Sequence, residues 1–79
     1  MAQHPRPKPK HLAAKLLAIR QRLRVSQSDM VRLLKAQIST ARISEYESGI
    51  REPNLLVLLA YSRAANIPVE KIIDDELTI

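Results

Sequence analysis

The sequence predicts an all-α domain, a compact five-helix bundle. Apolar residues recur at helical spacing, no segment alternates like a strand, and Ser, Asn, Gly and Pro stand where helices would begin or end. A chain of 79 residues forms one domain at most. We assign residues 11–79 to this domain and residues 1–10 to a basic, proline-rich flexible tail that is either solvated or ordered on contact with a partner.

The first two helices are predicted from apolar spacing and one capping signal. Four aliphatic residues share a stripe of the first helix: Leu12, Leu16, Ile19 and Leu23. Ser26 begins the second helix, because Asp29 completes a Ser-x-x-Asp capping box. Three apolar residues should point inward from it: Met30, Leu33 and Leu34. Residues 35–38 show no periodicity and are predicted to form a turn.

A third helix is predicted between a cap at Ser39 and a stop at Gly49. Projection at about 100° per residue turns Ile43 and Tyr46 toward the core, with Glu47 beside them. The opposite arc has no large apolar group: Ala41, Ser44, Glu45 and Ser48, flanked by Thr40 and Arg42. Such a face suits entry into a groove about 12 Å wide, although an ordinary exposed helix has the same pattern.

The fourth helix is expected to start after Asn54 and to end at Asn66. Its residues 55–61 are apolar on all sides, which predicts a centrally buried helix. A short fifth helix should run from Pro68 to Ile73.

The net charge of +5 is unevenly distributed. Residues 1–28 carry seven bases and no acid, whereas residues 29–79 carry six bases and eight acids. This asymmetry favours a polyanionic partner, first nucleic acid and second an anionic membrane surface, and it is also compatible with solubility alone. No apolar run approaches the roughly 18 residues of a membrane span, so no transmembrane segment is predicted. Of the two polyanionic partners we expect nucleic acid and not a membrane.

Several function classes are disfavoured. The absence of cysteine removes disulfides, thiolate nucleophiles and sulfur ligands, and it fits a cytoplasmic protein. We expect no enzyme, because there is no glycine-rich phosphate loop and no evident nucleophile–base pair. His4 and His11 are both in or beside the tail, so neither a metal site nor a cofactor is expected.

Several motifs then occur in a recognisable order. Arg20 is followed by Ser26-Gln27, the segment Ile-Ser-Glu-Tyr-Glu-Ser-Gly at 43–49 and Pro53. Apolar residues stand at the remaining expected positions: Met30, Leu34, Leu55, Leu58, Leu59, Ile67, Val69 and Ile72. Together they resemble the lambda-repressor-like, Cro-type (XRE) helix-turn-helix family over about residues 12–77.

The resemblance implies sequence-specific binding of double-stranded DNA, with a recognition helix over about residues 39–48 in the major groove. Four residues would contact base edges: Thr40, Ala41, Ser44 and Glu45. Three would contact phosphates: Gln27, Arg42 and Arg51. Arg20 and Glu47 would form an internal ion pair that orients the third helix.

The resemblance further implies a transcriptional regulator, and we expect a repressor that binds as a homodimer. Its dimer surface would involve the last helix and residues 77–79, and a small-molecule effector is not expected. The rival hypothesis is a protein-binding adaptor or an antitoxin-like module on the same scaffold, since a fold does not fix a function.

Three departures from the family pattern affect these expectations. Arg24 stands where glycine is usual, so the first helix lacks its ordinary C-terminal cap. Two extra residues lie between Leu34 and Ser39, and Gln37 replaces the usual turn glycine. The predicted recognition arc has few long donors, so DNA shape would supply part of the specificity.

Overall fold

The computed structural model describes residues 9–79 and contains, within that range, five α-helices and no strand. They are α1 (Leu12–Leu23), α2 (Gln27–Leu34), α3 (Thr40–Ser48), α4 (Leu55–Ala65) and α5 (Val69–Ile73). The predicted all-α architecture is therefore confirmed. Residues 1–8 of the predicted tail, including His4, lie outside the described residues.

Local side-chain caps fix where three of the helices begin. The Ser26 Oγ accepts a hydrogen bond from the Asp29 amide at 3.0 Å, and the Ser39 Oγ accepts one from the Arg42 amide at 3.2 Å. The Asn54 side chain likewise accepts from the amide at the third position of α4 (2.9 Å). Each bond satisfies an amide that has no partner within its own helix. All three predicted caps are confirmed.

The helix ends rely on left-handed backbone, and not always at glycine. Gly49 closes α3 with φ 80°, and Asn66 closes α4 with φ 55°. α1 and α2 instead end on Arg24 (φ 57°) and Lys35 (φ 53°). A side chain with a Cβ is disfavoured in this region. α1 therefore ends with the same left-handed conformation that glycine would adopt, but Arg24 takes it under strain.

The core forms where α3 and α4 pack onto α1 and α2, with α5 closing the side of α1 and α4. Its buried members come from all five helices: Leu12, Leu16, Ile19, Met30, Leu34, Ile43, Tyr46, Val57, Leu58, Tyr61 and Ile72. The inward direction predicted for Ile43 and Tyr46 is confirmed. This packing determines which face of α3 remains outside.

The prediction of a centrally buried α4 is wrong. Leu55 and Leu56 are 81% and 77% exposed, and Leu59 is also exposed. Leu55 and Leu59 therefore do not fill the core positions expected for them. Leu33 on α2, expected to point inward, is 44% exposed. A helix that is apolar all round carries no directional signal, and the fully buried residues of α4 are Val57, Leu58 and Tyr61.

The two ends of the domain cap each other. The Asp75 carboxylate accepts hydrogen bonds from the Lys10 amide (2.8 Å) and the His11 amide (3.1 Å), at the N-terminus of α1. In return, the buried Lys15 side chain of α1 donates to the Lys71 carbonyl (2.9 Å) and the Asp74 carbonyl (2.7 Å) at the end of α5. These contacts join α1 to the C-terminal segment.

Candidate nucleic-acid interface

A charged pair joins α1 to α3 beneath the outer face of α3. Arg20 donates from Nε to the Glu47 Oε2 at 2.6 Å and from Nη2 to the Glu47 Oε1 at 3.0 Å. It also donates from Nη1 to the Val25 carbonyl at 3.1 Å. The Glu47 side chain is only 6% exposed and that of Arg20 19%. Such a bidentate ion pair fixes the angle between α1 and α3 as well as their distance.

Gln27 extends this network to α2. Its Nε2 donates to the Glu47 Oε1 at 3.2 Å, so one carboxylate of α3 binds both α1 and α2. Gln27 lies at the first position of α2, where amides without helical partners give the helix end a partial positive charge. The half-buried side chain is therefore held in one place at a helix end that favours anions.

The outer arc of α3 is small and polar along its length. Thr40, Ala41 and Ser44 are exposed, and Ser48 is exposed with its hydroxyl bound to the Glu45 carbonyl at 3.2 Å. The Thr40 Oγ1 lies 3.5 Å from the Ser28 Oγ of α2. The N-terminal turns of α2 and α3 therefore meet at the surface. No bulky side chain of α3 prevents a ligand from approaching the backbone of this arc.

Glu45 does not stand alone on this face. Its Oε1 lies 3.4 Å from the Arg42 Nε and 3.4 Å from the Arg51 Nε, and all three side chains are at least one-third exposed. The structure thus brings together one residue expected to contact bases and two expected to contact phosphates. In this arrangement the carboxylate partly neutralises both guanidinium groups.

Three residues beside this face were not identified from the sequence. Ser28 contacts Thr40, Ile50 is 76% exposed directly after α3, and Lys10 lines a cleft of about 200 Å³ together with Tyr46 and Arg51. An apolar residue after a helix-ending glycine is a weak signal that could have pointed to Ile50. The other two depend on contacts between distant segments, which spacing alone does not reveal.

Hydrogen bonding and burial shift the pKa values of two groups, Arg20 of the ion pair and Tyr61 in the core. The hydrogen bond that Arg20 donates to the Glu47 carboxylate raises the pKa of Arg20, so its charge persists at all physiological pH values. Burial raises the pKa of Tyr61, whose hydroxyl has no hydrogen-bond partner among the described residues. Arg20 therefore stays charged and Tyr61 stays neutral near neutral pH.

The described residues 9–79 contain no cluster of His, Cys, Asp or Glu that could hold a metal ion. Within the same range no helix is both long and apolar enough to cross a membrane.

The fold and this site define a class of protein. The sequence model of the helix-turn-helix family matches residues 16–72, and the chain belongs to that family, in its lambda-repressor-like branch. Among solved structures, the chain is similar to the P22 c2 repressor protein, crystallised in complex with synthetic operator 9T in the presence of Tl⁺. The two are 25% identical with a TM-score of 0.72, over 81% of this chain and 94% of the repressor chain. No curated protein matches the sequence.

Proposed function

We propose that the chain binds double-stranded DNA in a sequence-specific manner and regulates transcription, acting as a repressor. The observation that carries this proposal is the outer arc of α3, which is exposed and small while the helix itself is fixed from behind by the Arg20–Glu47 pair. Membership of the helix-turn-helix family and similarity to a repressor crystallised with its operator support it.

The proposed reading of bases follows from side-chain chemistry on that arc. Ala41 and the Thr40 methyl group can contact thymine methyl groups, and the Ser44 hydroxyl can donate or accept in the major groove. Glu45 can accept a hydrogen bond from cytosine N4. Since none of these side chains is a long bidentate donor, part of the specificity would come from DNA shape.

The proposed phosphate contacts surround the same arc. Gln27 would donate at the α2 N-terminus, and Arg42 and Arg51 would each neutralise a phosphate. Both arginines contact Glu45 in the free protein. A phosphate that takes over either guanidinium would release the Glu45 carboxylate, so backbone binding and base reading would be coupled through this cluster.

We further propose that two copies bind the two halves of a palindromic site, in contact through α5 and residues 77–79, and that the protein acts in the cytoplasm. No small-molecule effector is part of this proposal. The rival protein-binding function has one feature in its favour, the exposed leucines of α2 and α4.

Selection of bound sequences from a random duplex pool tests the base-reading proposal. Glu45→Ala should alter the selected sequence, since it removes an acceptor from the arc, and the protein should still fold. Gln27→Ala should retain the wild-type preference but weaken binding to every site, because its proposed contact is with the backbone. Gln21→Ala, at an exposed position of α1, serves as the control and should select the wild-type sequence.

An unaltered selection profile for Glu45→Ala would show that α3 does not read bases in the proposed way. Failure of the wild-type protein to bind any duplex at low salt would instead favour the protein-binding alternative, because phosphate contacts make duplex affinity highest there.

A further inference from the structure

Arg42, Glu45 and Arg51 form a charged cluster on the outer side of α3. The two guanidinium groups each place Nε 3.4 Å from the Glu45 Oε1, so one carboxylate lies between two positive charges. A carboxylate alone on this face would be repelled by the phosphates of a duplex. Because the cluster as a whole is positive, it can bring a hydrogen-bond acceptor into the groove with less repulsion.

The contacts within the cluster leave several of its polar atoms available. Among residues 9–79, both contacts to the Glu45 carboxylate are made at Oε1, and Oε2 accepts no hydrogen bond. Arg42 contacts Glu45 through Nε, and its two Nη groups donate no hydrogen bond to any residue in the same range. The Arg42 and Glu45 side chains are 40% and 34% exposed. The cluster therefore presents one acceptor beside a planar pair of donors.

This arrangement of groups matches one kind of base pair. Arg42 and Glu45 lie three positions apart on α3, so their side chains share one side of the helix. In the major groove a C·G pair offers a donor at cytosine N4 next to acceptors at guanine O6 and N7. In an A·T pair the adenine N6 donor lies between two acceptors, and the thymine methyl group follows. One acceptor beside two donors therefore complements C·G better than A·T.

We propose that Arg42 reads a guanine, and that Arg42 and Glu45 together recognise one C·G base pair of the bound site. The Glu45 Oε2 accepts from cytosine N4, and the Arg42 Nη groups donate to guanine O6 and N7. Arg51 stays with the backbone, because it lies in the loop after α3 and not on the helix itself.

This inference rests on the proposed DNA-binding function and deepens it. It names a base pair of the site and makes Arg42 a determinant of specificity. The Arg42 charge still lies between the two phosphate strands, where it displaces a counterion whichever group it contacts. Salt dependence therefore does not separate a base contact from a phosphate contact, and the test has to change the base.

Selection of bound sequences from a random duplex pool shows which base pair each side chain reads. The wild-type protein should retain C·G at one position of the site. Arg42→Ala and Glu45→Ala should both lose the preference at that same position and keep the preferences elsewhere. Arg32→Ala is the matched control, since this exposed arginine of α2 also lies beside an acid, and it should select the wild-type sequence. Circular dichroism checks that all variants keep the wild-type helix content.

Modified bases at the selected position then distinguish guanine from phosphate as the partner of Arg42. 7-Deazaguanine lacks the N7 acceptor, whereas inosine keeps O6 and N7 and lacks only the amino group in the minor groove. By fluorescence anisotropy the wild-type protein should bind the 7-deazaguanine duplex about tenfold less tightly, and the inosine duplex about as tightly as the unmodified one. Arg42→Ala should not distinguish 7-deazaguanine from guanine, because the contact is already missing.

Three results would overturn the inference. They are an intact C·G preference in Arg42→Ala with equal weakening of all sequences, a loss at a different position from that lost in Glu45→Ala, and wild-type binding that is insensitive to 7-deazaguanine. The last measurement needs no variant, and in all three cases DNA binding itself stands. A wild-type protein that binds no duplex at low salt would instead contradict the proposed function, and the inference with it.

Discussion

At the scale of single residues, Glu47 is the group on which the position of α3 depends. It accepts hydrogen bonds from Arg20 of α1 and Gln27 of α2, while Ile43 and Tyr46 on the same helix pack into the core. A buried carboxylate is tolerated only when its lost hydration is replaced by such bonds. The pair is therefore more important for orientation than for net stability.

Replacing Glu47 by alanine should destabilise the fold by about 2 to 3 kcal/mol, because Arg20 and Gln27 both lose their acceptor. The double variant Arg20→Met, Glu47→Leu should lose less than this, since no charge is left unpaired. Urea denaturation measures both. Glu45→Ala is the control: it removes a partly exposed carboxylate of the same helix and should change stability by less than about 1 kcal/mol. Equal losses for Glu45→Ala and Glu47→Ala would show that the buried pair has no special role.

At the scale of helices, boundaries were predictable because their signals are local. Ser26, Ser39 and Asn54 each cap an amide three residues ahead, and Gly49 adopts the backbone that only glycine favours. Helix orientation was less predictable. The apolar run at 55–61 contains no polar face, so nothing in it indicated that its first two leucines would be exposed.

Long-range polar contacts were also beyond prediction from spacing. The two acceptors of the buried Lys15 side chain lie 56 and 59 positions away in sequence, so no local pattern indicates them. The Arg20–Glu47 pair was expected from the resemblance alone, and the Gln27 bond to the same carboxylate was not foreseen. On the proposed DNA face, exposure of Ser44 followed from helical periodicity. The contact between Glu45 and Arg51 required the conformation of the loop after α3.

The end of α1 offers a prediction about backbone strain. Arg24→Gly should raise the free energy of unfolding by about 0.5 to 1 kcal/mol, because the φ of 57° is disfavoured for arginine and free for glycine. Gln21→Gly, inside the same helix, should lower it by about 1 kcal/mol. Thermal and urea denaturation of both variants measure the difference. A loss of stability in Arg24→Gly would mean that its side chain contributes more than the backbone strain removes.

The cap of α1 by Asp75 predicts a dependence on pH. Hydrogen bonds from the Lys10 and His11 amides lower the pKa of Asp75 below its ordinary value of 3.8. A carboxylate with a lowered folded-state pKa stabilises the fold fully above its unfolded pKa, and this contribution is lost as pH falls through the folded value. Wild type should therefore exceed Asp75→Asn in urea midpoint at neutral pH, and the difference should shrink below about pH 4.

The Glu70→Gln variant provides the control for that titration, as it neutralises an exposed carboxylate of the neighbouring α5. The difference in urea midpoint between Glu70→Gln and wild type should change less between neutral and acidic pH. A constant difference in urea midpoint between wild type and Asp75→Asn across the whole pH range would contradict the role of the Asp75 charge.

At the scale of the whole molecule, the structure divides the surface into parts with different charge and polarity. The outer arc of α3 is polar, with Arg42 and Arg51 at its edge, whereas a groove between the end of α2 and α4 is apolar and the end of α5 is acidic. The two proposed partners, duplex DNA and a second copy, would therefore use separate surfaces. Ionic strength should affect each through its own set of charges.

The salt dependence of duplex binding should report which basic side chains contact the DNA phosphates. Arg42→Ala and Arg51→Ala should each reduce the slope of log K against log salt concentration by about 0.9, since each removes one neutralised phosphate. Gln27→Ala should weaken binding without changing the slope, because the side chain is uncharged. Arg32→Ala is the matched control: this arginine of α2 also pairs with an acid, Asp29 at 3.7 Å, but lies outside the proposed interface. Fluorescence anisotropy titrations at several salt concentrations measure all four variants, and a slope change for Arg32→Ala equal to that for Arg51→Ala would place the DNA on another face of the protein.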